Sequence, residues 1–133
     1  MHAITLEHYF RDFEYNQEQA QNAVELCRRV NHLLSYAEEC GVNLKLNKKT
    51  GSLISGEKYG GFRPLDCPIG AEKSAHKQAM AVDIYDPENA LDIWLNDAIL
   101  IKFDLYREHP DHTNSWAHLS TKEPRSKRRT FIP

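Results

Sequence analysis

The patterning of this chain predicts an α+β fold in which helices pack on a small, mainly antiparallel sheet. Three observations carry that reading. An apolar stripe of helical period runs from about residue 17 to 40, short strand-like runs stand at 42–46, 80–85 and 116–121, and a second helical run near 87–103 separates the last two. At 133 residues the chain fits one domain, 1–133, long enough to bury a core.

Residues 1 to about 15 mix acidic groups with Tyr9, Phe10, Phe13 and Tyr15 and read as an irregular lead-in or a short helix. The long helix, about 17–40, follows. Asn16 can cap it, and Gln19 stands where a side chain reaches back to the cap. Ala20, Ala23, Val24, Cys27, Val30, Leu33, Leu34 and Ala37 recur at three- and four-residue intervals as one apolar face. Gly41 supplies the stop, because glycine accepts the left-handed conformation that closes many helices.

From about 42 to 121 the pattern changes. Val42, Leu44 and Leu46 alternate with polar residues at the period of a half-buried strand. Residues 48–73, with Gly51, Gly56, Gly60, Gly61, Pro64, Pro68 and Gly70, read as a loop whose length marks it as functional or mobile. Met80 to Tyr85 reads as a strand. Asp86 and Pro87 then read as the cap and first residue of a helix to Phe103 that buries Ala90, Leu91, Trp94, Ala98 and Ile101. Asp92 and Asp104 read as solvated charges on helix faces. A strand is expected at Trp116–Thr121. The basic tail, 122–133, reads as solvated, although its apolar end Phe131-Ile132-Pro133 suggests that it docks back.

Composition narrows the classes of function. Hydrophobic residues make up 41% and charged residues 27%, and the net charge of −2 favours neither nucleic acid nor a membrane surface as partner. No apolar run approaches the roughly 20 residues of a membrane-spanning helix, so no membrane insertion is expected. Cys27, Cys40 and Cys67 are odd in number and lack CxxC spacing, which reads as reduced thiols and not as a disulfide framework or a cysteine zinc site. The first residues lack the charged-then-apolar layout of a signal peptide.

The chemistry concentrates in His76, Asp83 and His118. Two imidazoles and a carboxylate can share one metal ion and leave a fourth position open, the requirement of a catalytic zinc site. On one helix His76 and Asp83 would stand two turns apart, too far to share an ion, so a turn running into a strand must fold His76 back beside Asp83. Spacing alone favours an exposed His76 and a capping Asp83.

Resemblance reverses that preference. Ser74, His76, Ala81 and Asp83 are similar to the Ser-x-His-x-x-Gly-x-Ala-x-Asp signature of the M15 family of zinc D,D- and L,D-peptidases, which includes D-alanyl-D-alanine carboxypeptidases and phage endolysins. Trp116 and His118 resemble its downstream Trp-x-His, and Gly61-Phe62-Arg63 its Gly-Tyr-Arg. The resemblance implies a D-Ala-D-Ala-peptidase-like (hedgehog-like) fold with one Zn2+ at one end of the sheet, held by His76, Asp83 and His118. It implies hydrolysis of an amide bond in bacterial peptidoglycan peptides by a small phage or prophage protein. Such a protein would be made in the bacterial cytoplasm without a signal peptide and would act on the wall after release or as a virion component.

Arg63 then either polarises and binds substrate or merely braces the Gly-rich loop. Ser74 either hydrogen-bonds near His76 or is a simple turn residue, and Trp116 either walls the substrate cleft or fills the core. Two departures stand out. Ala79 replaces the family glycine, which is strained if the backbone there is left-handed. Ser115 occupies the position three before the last histidine, where many members carry the acidic base. Glu108, His109, Asp111 and His112 lie just upstream; Glu108 and Asp111 are the leading substitutes, and the sequence does not choose between them. The alternative function is a metal-stabilised binding or structural module, such as a phage tail component, with catalysis lost at Ser115. Scissile bond, stereochemistry, host and oligomeric state are not legible.

Overall fold

A computed structural model describes residues 3–69 and 74–133. Among them the chain forms an α+β architecture of four α-helices and a small mixed sheet. The helices are α1 (Leu6–Phe10), α2 (Gln17–Glu39), α3 (Ala90–Trp94) and α4 (Asp97–Phe103). The strands are β1 (Ala81–Tyr85), β2 (Tyr106–Glu108), β3 (Trp116–Ser120) and β4 (Thr130–Phe131). Their order across the sheet is β1-β3-β2-β4, with β3 antiparallel to β1 and β2, and β4 parallel to β2.

α2 forms as its ends require. Asn16 accepts from the Gln19 amide, and the Gln19 side chain accepts from the Asn16 amide, so two orphan donors are satisfied reciprocally. At the far end Gly41 turns left-handed at φ 92°, and the Gly41 and Val42 amides return to Glu38 and Ala37. The buried face comprises Ala23, Leu26, Cys27, Val30, Leu33, Leu34 and Ala37. Leu26 joins it and Val24 leaves it, 53% exposed.

That face belongs to the same hydrophobic cluster as Val82 and Ile84 of β1 and Ala117 and Leu119 of β3. Because side chains alternate along a strand, Asp83 and His118 project from the opposite face of the sheet. Core and candidate site are thus two sides of one strand pair.

Five expectations are corrected. Residues 42–46 form no strand: Val42 and Leu44 pack against the core, Leu46 is half exposed, and only an isolated bridge joins Asn47 to Ser52. The 87–103 helix is two helices, because Leu95 turns extended and Asn96 caps α4 by accepting from the Ile99 amide. The break shifts the phase, so Leu95 and Leu100 are buried while Ala98 and Ile101 are exposed. Asp86 caps from a distance, accepting from the Leu91 and Asp92 amides across the turn, and Pro87 is not helical.

Asp92 is buried, not solvated. Its carboxylate accepts from the Thr113 hydroxyl at 2.7 Å and lies 3.6 Å from Arg107. Asp104, by contrast, is exposed and pairs with Arg29 and Arg129. The tail does dock: Thr130 and Phe131 supply β4, and the Arg107 and His109 amides donate to the Arg129 and Phe131 carbonyls. Cys27 and Cys67 are buried, Cys40 is exposed, and all three are free thiols.

Candidate metal centre

Asp83 and His118 are register partners across β1 and β3, so backbone pairing fixes their separation. His76 arrives from the turn before β1. There Lys77 and Gln78 donate to the Ser74 carbonyl, Met80 donates to the Ala75 carbonyl, and the Ser74 hydroxyl accepts from the His76 amide at 3.3 Å. Closing this turn places Ala79 at φ 59°, the left-handed region, where its Cβ is strained. This is the position at which the resemblance expects glycine, so the sequence departure is a backbone cost in this fold.

The result is a compact donor set. His76 Nε2 lies 3.2 Å and His118 Nδ1 2.9 Å from Asp83 Oδ1. All three residues are buried, and one ligand atom from each lies within 4.8 Å of the others, a group able to hold a metal ion. The other nitrogen of His76, Nδ1, is 2.8 Å from the Gly61 carbonyl. A proton there fixes the tautomer that leaves Nε2 free as a ligand, the usual outer support of a metal-bound histidine. Two imidazoles and a carboxylate suit zinc and other first-row divalent ions.

Charges in the site are strongly coupled. Burial opposes ionisation of Asp83, but His76 and His118 outweigh it and hold the carboxyl well below the usual carboxylate range. Burial likewise opposes charge on His118, yet its bond to Asp83 and the nearby charges of Asp83 and Glu108 raise its affinity for a proton.

Arg63 both braces and faces the site: Nε donates to the Tyr59 carbonyl at 2.9 Å, and a terminal nitrogen lies 3.4 Å from Asp83 Oδ2. Glu108 ends β2 with its carboxylate 3.9 Å from His118 Nδ1, partly exposed to the cleft. Asp111 is elsewhere. The short 3-10 turn Pro110–His112 carries it to the surface, where its carboxylate is 85% exposed, faces His109 at 3.6 Å and lines no part of the cleft. Ser115 turns the chain at φ 72°; its amide donates to Asn89 and its carbonyl accepts from Asp86.

The cleft over the three donors has a volume of about 590 Å³, and Arg63, Ser74, Glu108 and Trp116 all line it. Sequence reasoning missed three contributors. Phe131 sets its ring edge-on to His118 at 6.1 Å, Arg125 lines the rim, and the Gly61 carbonyl orients His76. Phe131 left a signal in the apolar end of a basic tail and Gly61 in the Gly-Phe-Arg segment, but neither showed a contact with a histidine. Comparison with family models, curated proteins and solved structures found no match for this chain.

Proposed function

We propose that the chain is a zinc-dependent peptidase of the M15 type acting on an amide bond of bacterial peptidoglycan peptides, as a phage or prophage protein would. The observation that carries this reading is the buried His76, Asp83 and His118 group opening into a cleft that also holds Glu108 and Arg63. A structural site closes its coordination with protein ligands, whereas three ligands beside a cleft leave room for substrate.

His76 through Nε2, His118 through Nδ1 and Asp83 through a carboxylate oxygen would hold the ion. Bound zinc supplies Lewis acidity toward a carbonyl oxygen and toward water. The residues of this chain do the rest. Glu108 is the acid/base: it stands beside His118 at the cleft, where it takes a proton from the attacking water and returns it to the departing amine. That role fills the gap left at Ser115. Arg63 directs a guanidinium, anchored by Tyr59, at the developing negative oxygen or at a substrate carboxylate. Trp116 walls the cleft and excludes water, and Ser74 holds the turn that presents His76.

The test is peptide release from purified peptidoglycan by zinc-loaded protein, read by mass spectrometry beside a chelated control. Chelator-sensitive cleavage is the expected result. Intact peptidoglycan after incubation with protein holding one zinc would replace the peptidase by the metal-stabilised binding module.

A further inference from the structure

Resting on the peptidase reading above, we infer that Phe131 is a positioning residue of this site, setting the His118 ring and the Glu108 carboxylate from the last strand. The observation is a row across the sheet. Asp83 of β1 and His118 of β3 are register partners, and so are Glu108 of β2 and Phe131 of β4. Arg107 stands opposite Leu119 of the core face, so Glu108, one residue on, returns to the face of His118. The strand order β1-β3-β2-β4 therefore sets Asp83, His118, Glu108 and Phe131 side by side, and all four line the cleft.

The two imidazoles are held differently. His76 is oriented by the contact of its second nitrogen with the Gly61 carbonyl. Among the described residues His118 has no such partner at Nε2; its polar contacts run through Nδ1, to Asp83 at 2.9 Å and Glu108 at 3.9 Å. Ring packing is left to set its rotation. Phe131 meets His118 edge-on, at 86° and 6.1 Å between centroids, the geometry in which aromatic rings attract. As the neighbour of Glu108 in the row, the same ring closes the outer side of that carboxylate.

The anchoring of β4 fits this task. A strand of two residues is shorter than the roughly 3–10 usual in sheets and has little hold of its own. Polar contacts supply the hold up to Phe131. The Thr130 hydroxyl accepts from Arg107 Nε at 3.0 Å and donates to Asp97 at 2.8 Å, and Arg129 donates to Asp104 and to the Leu105 carbonyl. The Phe131 carbonyl accepts from the His109 amide at 2.7 Å, whereas Ile132 beyond it is exposed.

The experiment compares Phe131→Leu and Phe131→Tyr with the parent, all as the full chain. Leucine keeps apolar bulk and the backbone bonds of β4 without a ring edge; tyrosine keeps the ring. Zinc affinity, read by competition with a chromophoric chelator, falls about tenfold in Phe131→Leu, the scale of a lost outer support, and is restored in Phe131→Tyr. At saturating zinc, kcat of Phe131→Leu on peptidoglycan peptides falls about tenfold with KM unchanged. A residue that merely fills space would lower Tm in Phe131→Leu and leave zinc affinity and kcat at the parent's values. That result overturns the inference, as does a Phe131→Tyr as weak as Phe131→Leu. A parent that binds zinc and releases no peptide overturns the peptidase alone, and the zinc affinities then decide the role of Phe131.

Discussion

Asp83 and His118 face each other as register partners across β1 and β3, with 2.9 Å between Oδ1 and Nδ1. Two of the three donors are therefore set by strand pairing before any ion arrives. A slip of one residue would send either side chain to the core face, where Val82 and Leu119 now pack.

Metal binding should release protons. His118 holds its proton more tightly than a free imidazole, and an ion can bind only the neutral ring. Zinc titrated near pH 6.5 in buffers of different ionisation enthalpy should show that release by calorimetry. The sign for the metal-free protein follows: a raised histidine contributes stability below its unfolded value near 6.5 that is lost as pH rises through the higher folded value. His118→Ala or His76→Ala should weaken zinc by more than about 100-fold, since losing merely an outer partner costs 10–100-fold.

Glu108 and Asp111 should separate cleanly. Glu108→Gln keeps size and removes the base, so kcat should fall by about 10²-fold or more with zinc content intact. Asp111→Asn should change kcat less than about twofold, as befits an exposed carboxylate outside the cleft. Equal losses in both variants would remove Glu108 from its role.

Ala79 and Ala81 are both buried but differ in backbone. Ala79→Gly relieves a left-handed residue, and that gain of about 1 kcal/mol or more offsets the lost methyl; Tm should hold or rise. Ala81→Gly, extended within β1, should cost about 1 kcal/mol or more. Equal destabilisation of the two would contradict the strain at 79. Thermal melts of both variants decide it.

Asp92 should make the fold weaker above pH 6. Burial pushes its carboxyl up to about 6 despite the Thr113 bond and the Arg107 charge, and one carboxylate oxygen has no hydrogen-bond partner. The folded state then holds a proton that the unfolded state releases near pH 4, so stability is lost as pH rises from about 4 to 6. Asp92→Asn removes that titration and keeps an acceptor for Thr113. Its stability relative to the parent should improve between pH 4 and 7 by roughly 2–3 kcal/mol. A pH-independent difference in urea melts would refute this.

What the sequence made legible was local. Asn16, Gln19 and Gly41 announce the ends of α2 because caps act within a few residues. His76, Asp83 and His118 stand out through the resemblance of the motifs around them, because their spacing alone favours an exposed His76 and a capping Asp83. The split at Leu95 and Asn96 was hidden because Asn96 is a sound cap inside an unbroken apolar run. Asp92 looked solvated because its partners, Thr113 and Arg107, are 21 and 15 residues away. β2 and β4 are too short for a period, and β4 exists only through pairing with β2. Glu108 could be preferred over Asp111 only once β2 showed which of them turns toward His118.

Tyr9 ties the beginning of the chain to the donors. Its carbonyl accepts from the Phe62 amide, its hydroxyl donates to the Ala81 carbonyl 72 positions away, and a Cβ on Gly61 would stand 2.6 Å from its oxygen. The Gly61 carbonyl in turn steadies His76. Fraying of α1 should loosen the support of His76, so the spacing of the three donors depends on a segment that touches none of them.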